Sequence, residues 1–120
     1  MAYDTNAAEY LRTQVINIST SGDNTLISAP TTTGNYLAID FMLFLPTTAV
    51  SITLYDGTSA ETQTALSGPL PMDAKQAVVA ENAIQNVRGV ITLSPNKSFV
   101  MNLGDAVQVG GWIRFREVGN

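Results

Sequence analysis

The sequence predicts an all-β fold: an antiparallel β-sandwich, jelly-roll-like, with about seven or eight strands behind an N-terminal arm. Three observations lead there. Strand formers (Val, Ile, Thr, Tyr and Phe) recur along the chain, whereas the charged residues of exposed helix faces are scarce, at 13%. Apolar residues alternate with period two in several short runs. Turn formers separate these runs at the spacing of a sandwich or jelly roll. With 120 residues the chain fits a single domain, which would bury roughly two-thirds of its unfolded surface.

Residues 1–10 lack a period and mix small and polar side chains with Tyr3 and Tyr10, so they are expected to form a docking arm; residues 11–118 make the sandwich. LRTQVINI, from Leu11 to Ile18, is the first strand, and STSGDN is a turn with Gly22 free to take a positive φ. TLISAP follows as a strand ended by Pro30, and TTTGN turns the chain again. Strict alternation over Tyr36 to Leu45 puts Leu37, Ile39, Phe41, Leu43 and Leu45 on one face, and Tyr36, Ala38, Asp40, Met42 and Phe44 on the other. Both faces are largely apolar, as in a strand covered on two sides. The cover over Met42 and Phe44 is either a neighbouring subunit or the connection from Ser67 to Arg88 folding back.

After Pro46, the segment AVSITLYDGTS directs Val50, Ile52 and Leu54 inward and turns at Asp56-Gly57; these two strands are expected to form a hairpin. In the long stretch that follows, Met72, Val79, Ala83 and Val87 could make a helical stripe. Gly68, Pro69 and Pro71 break its front, however, and AVVA suits a short strand. The expectation is a long connection holding a short strand, with room for one helical turn. VITLS ends at Pro95, and SFVMNL places Phe99, Met101 and Leu103 on one face before a Gly-Asp turn.

The last strand, VQVGGWIRF, alternates Val107, Val109, Gly111, Ile113 and Phe115 inward with Gln108, Gly110, Trp112, Arg114 and Arg116 outward. The only tryptophan thus shares a face with two of the six basic residues, and Trp and Arg are enriched where interfaces concentrate their energy. That face meets either a partner or a covering segment of the same chain. The paired glycines mark a bulge or a close backbone crossing, with direct approach of a ligand as the other reading.

Composition excludes several chemistries. Cys and His are both absent, which removes disulfides, thiolate metal sites, cysteine nucleophiles and the usual general base. The ten carboxylates are scattered; those in SGDN, YDGTSAE and LGDA act as turn residues without the spaced oxygen ligands of a calcium loop. No cofactor, metal or catalytic residue is expected, and the chain is expected not to be an enzyme. A net charge of −4 with six scattered Lys and Arg offers phosphates no basic stripe, so no nucleic acid is expected. No apolar run reaches membrane-spanning length, and the start lacks the features of a signal peptide; the expectation is a protein made in a cytoplasm, with no membrane partner.

Two stretches, INISTSGDNTLISAPTTTGNYLAIDFMLFL and LSPNKSFVMNLGDAVQVGGWIRFREV, together resemble a pattern of small virion proteins of tailed bacteriophages and cover roughly half of the chain. The resemblance implies a β-sandwich that assembles with itself, commonly as a trimer, and attaches to the capsid or tail. It implies a capsid decoration or cement protein on the major capsid lattice, or a head-fibre or tail-associated protein, located in the virion. On this sequence the anchoring arm would be Met1 to Tyr10, and self-contact would use the outward faces of the apolar strands. The interface residues expected are Tyr3, Tyr10, Tyr36, Met42, Phe44, Trp112, Arg114 and Arg116. A reading of another class is a carbohydrate-binding sandwich for host attachment, with Trp112, Tyr55 or Tyr36 as the stacking platform for a glycan.

Overall fold

Ten strands in two antiparallel sheets make up the computed structural model, which describes residues 11–82 and 89–119. Sheet A holds β1 (Arg12–Ile18), β3 (Tyr36–Pro46), β7 (Val78–Glu81), β8 (Ile91–Thr92) and β10 (Val109–Val118), in the order β1-β10-β3-β7 with β8 also on β3. Sheet B holds β2 (Gly22–Ile27), β4 (Val50–Asp56), β5 (Thr64–Ala65), β6 (Leu70–Met72) and β9 (Phe99–Leu103), in the order β2-β9-β4-β5 with β6 also on β4. Because β5 and β6 share the flank of β4, and β7 and β8 that of β3, the ten strands fill eight positions. The partners are β1 with β10, β2 with β9, β3 with β7 and β8, and β4 with β5 and β6. This is an antiparallel ribbon folded at the turn after β4 and rolled so that its successive strand pairs alternate between the sheets. The predicted jelly-roll sandwich is therefore the fold.

The expected hairpin between Tyr36–Leu45 and the following strand does not form, because β3 lies in sheet A and β4 in sheet B. Both flanks of β3 are already taken, one by β10 and the other by β7 and β8. Pro46 and residues 47–49 instead carry the chain across, held by Thr47 N–H to the Gln108 carbonyl (2.9 Å) and Lys75 N–H to the Pro46 carbonyl (2.7 Å). The SGDN turn also differs: Gly22, with φ +91°, already opens β2, and the Asn24 amide donates to the Thr20 and Gly22 carbonyls. In the long connection, AVVA supplies β7, but no helical turn forms among its described residues; the 3-10 turn at Ser59–Glu61 lies ahead of it. Ala83 and Val87 lie outside the described residues.

The core is built from both inner faces. Sheet A contributes Ile16, Leu37, Ile39, Met42, Phe44, Val109 and Ile113, and sheet B contributes Ile52, Leu54, Phe99, Met101 and Leu103. Met42 and Phe44, expected on an outer face awaiting cover, are thus core residues, 1% and 0% exposed. The cause is a break in the ladder between β10 and β3: Arg114 pairs with Phe41 but Phe115 pairs with Ile39, so Asp40 is an extra residue with no partner in that register. One inserted residue exchanges the two faces of everything beyond it. Leu37 and Ile39 point inward before the bulge, and Met42 and Phe44 point inward after it. Asn82 fixes the bulge, its N–H bonding the Asp40 carbonyl (3.0 Å) and its amide the Asp40 Oδ1 (3.0 Å). Along β10 and the residues leading into it the predicted alternation holds, with Val107, Val109, Ile113 and Phe115 all buried.

Candidate functional site: the outer face of sheet A

Paired residues in a sheet point to the same side, so the registers define rows across its outer face. One row runs Val15, Trp112, Leu43, Val79, from β1 across β10 and β3 to β7. Its members are exposed or half-buried: Val15 is 68%, Val79 53% and Trp112 39% exposed. The adjacent row is Thr13, Arg114, Phe41, Glu81, and the row on the other side includes Asn17, Gly110 and Leu45. The Trp112 and Phe41 rings lean together across the rows, with centroids 4.8 Å apart at 38°. Beside them Gly110 leaves a step in the surface, since a Cβ there would meet only the Ile16 carbonyl oxygen, at 4.0 Å. The result is an apolar band with a polar and charged border, the layout of an interface patch.

The outer face of sheet B is different. There Asp23, Asn102 and Thr53 form a row, with the Asn102 amide donating to Asp23 Oδ1 (2.8 Å) and the Gln63 amide to Asp23 Oδ2 (2.8 Å). Those polar groups satisfy one another and face water. The unpartnered apolar area among the described residues is concentrated on sheet A, which holds three of the five exposed large hydrophobic residues, Val15, Val79 and Trp112, in a single row.

Of the residues expected at an interface, Tyr36, Trp112, Arg114 and Arg116 lie along this one face. Trp112 and Arg114 are exposed, whereas Tyr36 and Arg116 are half-buried, beside Val118 and Ala38 respectively. Met42 and Phe44 are excluded by their burial, and Tyr3 and Tyr10 lie outside the described residues. Sequence reasoning misses Val15, Phe41, Leu43 and Val79. Unbroken alternation assigns Phe41 and Leu43 inward, and Val15 and Val79 join Trp112 only through pairing between distant strands. Tyr55, a possible glycan platform, is half-buried on sheet B, away from Trp112.

The polar end of the sandwich holds structure together. Asn96 accepts the Gly34 N–H at Oδ1 (2.8 Å), and its amide donates to the Pro30 and Thr32 carbonyls. Glu61 accepts from the Thr58 N–H (3.0 Å), the Ser98 N–H (3.0 Å) and the Ser98 hydroxyl (3.1 Å). Burial works to raise the Glu61 carboxyl pKa, but these donors and the Lys97 charge outweigh it and hold the group below its ordinary range. A carboxylate so fully engaged is a structural tie and a poor proton acceptor. Among the described residues, no three acidic side chains gather as a metal ion would need. No protein-family model, curated protein or solved structure matches this chain significantly.

Proposed function

We propose that this chain is a non-enzymatic structural component of a tailed-phage particle, a capsid decoration protein that docks on the major capsid lattice through the outer face of sheet A. The observation that carries the reading is the row Val15, Trp112, Leu43, Val79: a contiguous apolar band centred on the only tryptophan and bordered by Arg114. Such a band costs free energy in water and is relieved when a partner covers it. The resemblance of the two long stretches to small virion proteins supplies the particle context. Many copies, each contributing modest buried area, would stabilise a shell because bound subunits favour the intact lattice over its open state.

Co-sedimentation with purified capsids that lack this protein tests the reading. The wild-type chain is expected to pellet with the shells, and Trp112→Ala is expected to weaken binding by about tenfold or more, as for a central aromatic anchor. Failure of the wild type to pellet, or undiminished binding by Trp112→Ala, overturns it. The open step at Gly110 beside the half-exposed indole also suits a sugar ring stacked on Trp112. A change in Trp112 fluorescence on titration with glycans, without capsid binding, would favour that second reading.

A further inference from the structure

We propose that the free edge of β1 pairs with the same edge of a second copy, antiparallel, about a two-fold axis at Val15, joining two A sheets into one. The sheet edges contrast with one another. An unpaired edge strand is a template for further pairing, and proteins blunt such edges with short strands, bulges, prolines and charges. Three of the four edges here are blunted. Edge strand β2 is bulged between Thr25 and Ile27 and carries Asp23. On the other side of sheet B, β5 and β6 have two and three residues, with Pro71 inside β6 and Pro69 immediately before it. On β3, β7 and β8 have four and two residues, and β7 ends in Glu81.

β1 has no bulge or proline and a single charge at its end. Its seven residues pair with β10 in unbroken register, and among the described residues no strand lies on its other side. Five consecutive uncharged residues, Thr13 to Asn17, fill its middle as TQVIN. The one charge, Arg12, sits at the end, stacked over the Phe115 ring at 5.2 Å and 3.7 Å from Glu117. This is an edge left open for a partner strand.

The strand's own symmetry selects a second copy as that partner. For two copies to align core side with core side, opposed residues must point the same way, which places the axis on a residue. Pairing all seven residues places it on the central one, Val15. Thr13 then opposes the partner's Asn17, and Gln14 opposes the partner's Ile16, so no like charges face each other. Val15 opposes its own copy, and the apolar row of each chain continues into that of the other across the axis. The contact is isologous, as a two-fold dimer requires. Particle attachment is a separate matter, and either idea can fail without the other.

Sedimentation equilibrium of the isolated protein at micromolar concentration is expected to give twice the 12.8 kDa chain mass. Val15→Lys and Val15→Asp should each weaken the dimer by more than about tenfold, because each puts a charge against its own copy. An equimolar mixture of the two should recover the dimer as a heterodimer. Val15 is exposed, so both variants should keep the wild-type circular dichroism. Independently of any variant, amide exchange across residues 12–18 of the wild type should slow as its concentration rises. A monomeric wild type, variants that keep the dimer mass, a mixture that stays monomeric, or concentration-independent exchange would each overturn the proposal.

Discussion

A methyl group added at Gly111 would run into the Leu43 carbonyl oxygen, and would lie 2.7 Å from Phe44 Cα and 2.9 Å from the Leu43 carbonyl carbon. All three atoms are backbone and cannot rotate away, and Gly111 also has φ +156°, which disfavours a side chain. The crossing element expected from the sequence is therefore β3 itself. Gly110, one residue earlier, faces open space. Gly111→Ala is expected to cost at least about 3 kcal/mol, and Gly110→Ala less than about 1 kcal/mol, as read by urea unfolding. Comparable losses in the two variants would show that the pair acts by flexibility and not by close approach.

At the scale of the strand, the bulge at Asp40 decides which side chains of β3 reach the core. Phe44→Ala should cost about 3–5 kcal/mol, and its neighbour Leu43→Ala only about 1 kcal/mol, in chemical denaturation. The reverse order would restore the unbroken alternation. This marks where the sequence is legible and where it is not. In β10 the inward positions from Val109 to Phe115 are apolar but for Gly111 and the period never slips, so spacing alone assigns Trp112 and Arg114 outward. In β3 nearly every residue is apolar, so alternation carries no phase; only the charge at Asp40 hints at the slip, and a lone charge is also compatible with an ordinary outward position. The expected hairpin fails for a related reason. Local turn chemistry at Pro46 says that the chain reverses, but which sheet it joins depends on β10 arriving from the far end of the sequence. The same distance hides Val15 and Val79, which belong to the site only because β1, β10, β3 and β7 lie side by side.

For the whole molecule, Glu61 ties the turn at the centre of the ribbon to the start of β9, and this bears on acid stability. Its folded-state pKa is held below the ordinary value of 4.5. The stabilisation it supplies is therefore fully present above pH 4.5 and is lost as pH falls through the lower folded value. Glu61→Gln should cost about 1–2 kcal/mol at neutral pH, and the gap from wild type should narrow on acidification, as followed by thermal melts from neutral to acid pH. A gap that stays constant with pH would mean that the charge of Glu61 contributes nothing.

The rolled ribbon also sets an order of events during synthesis. Sheet B is finished by β9, which ends at Leu103, whereas the middle of sheet A is β10, which follows every other described strand in the chain. Until β10 has left the ribosome, β1 and β3 have no strand between them, and the apolar edges that β10 will cover stand open. Sheet B can form on the nascent chain first, and the half bearing the candidate interface waits until β10 has emerged.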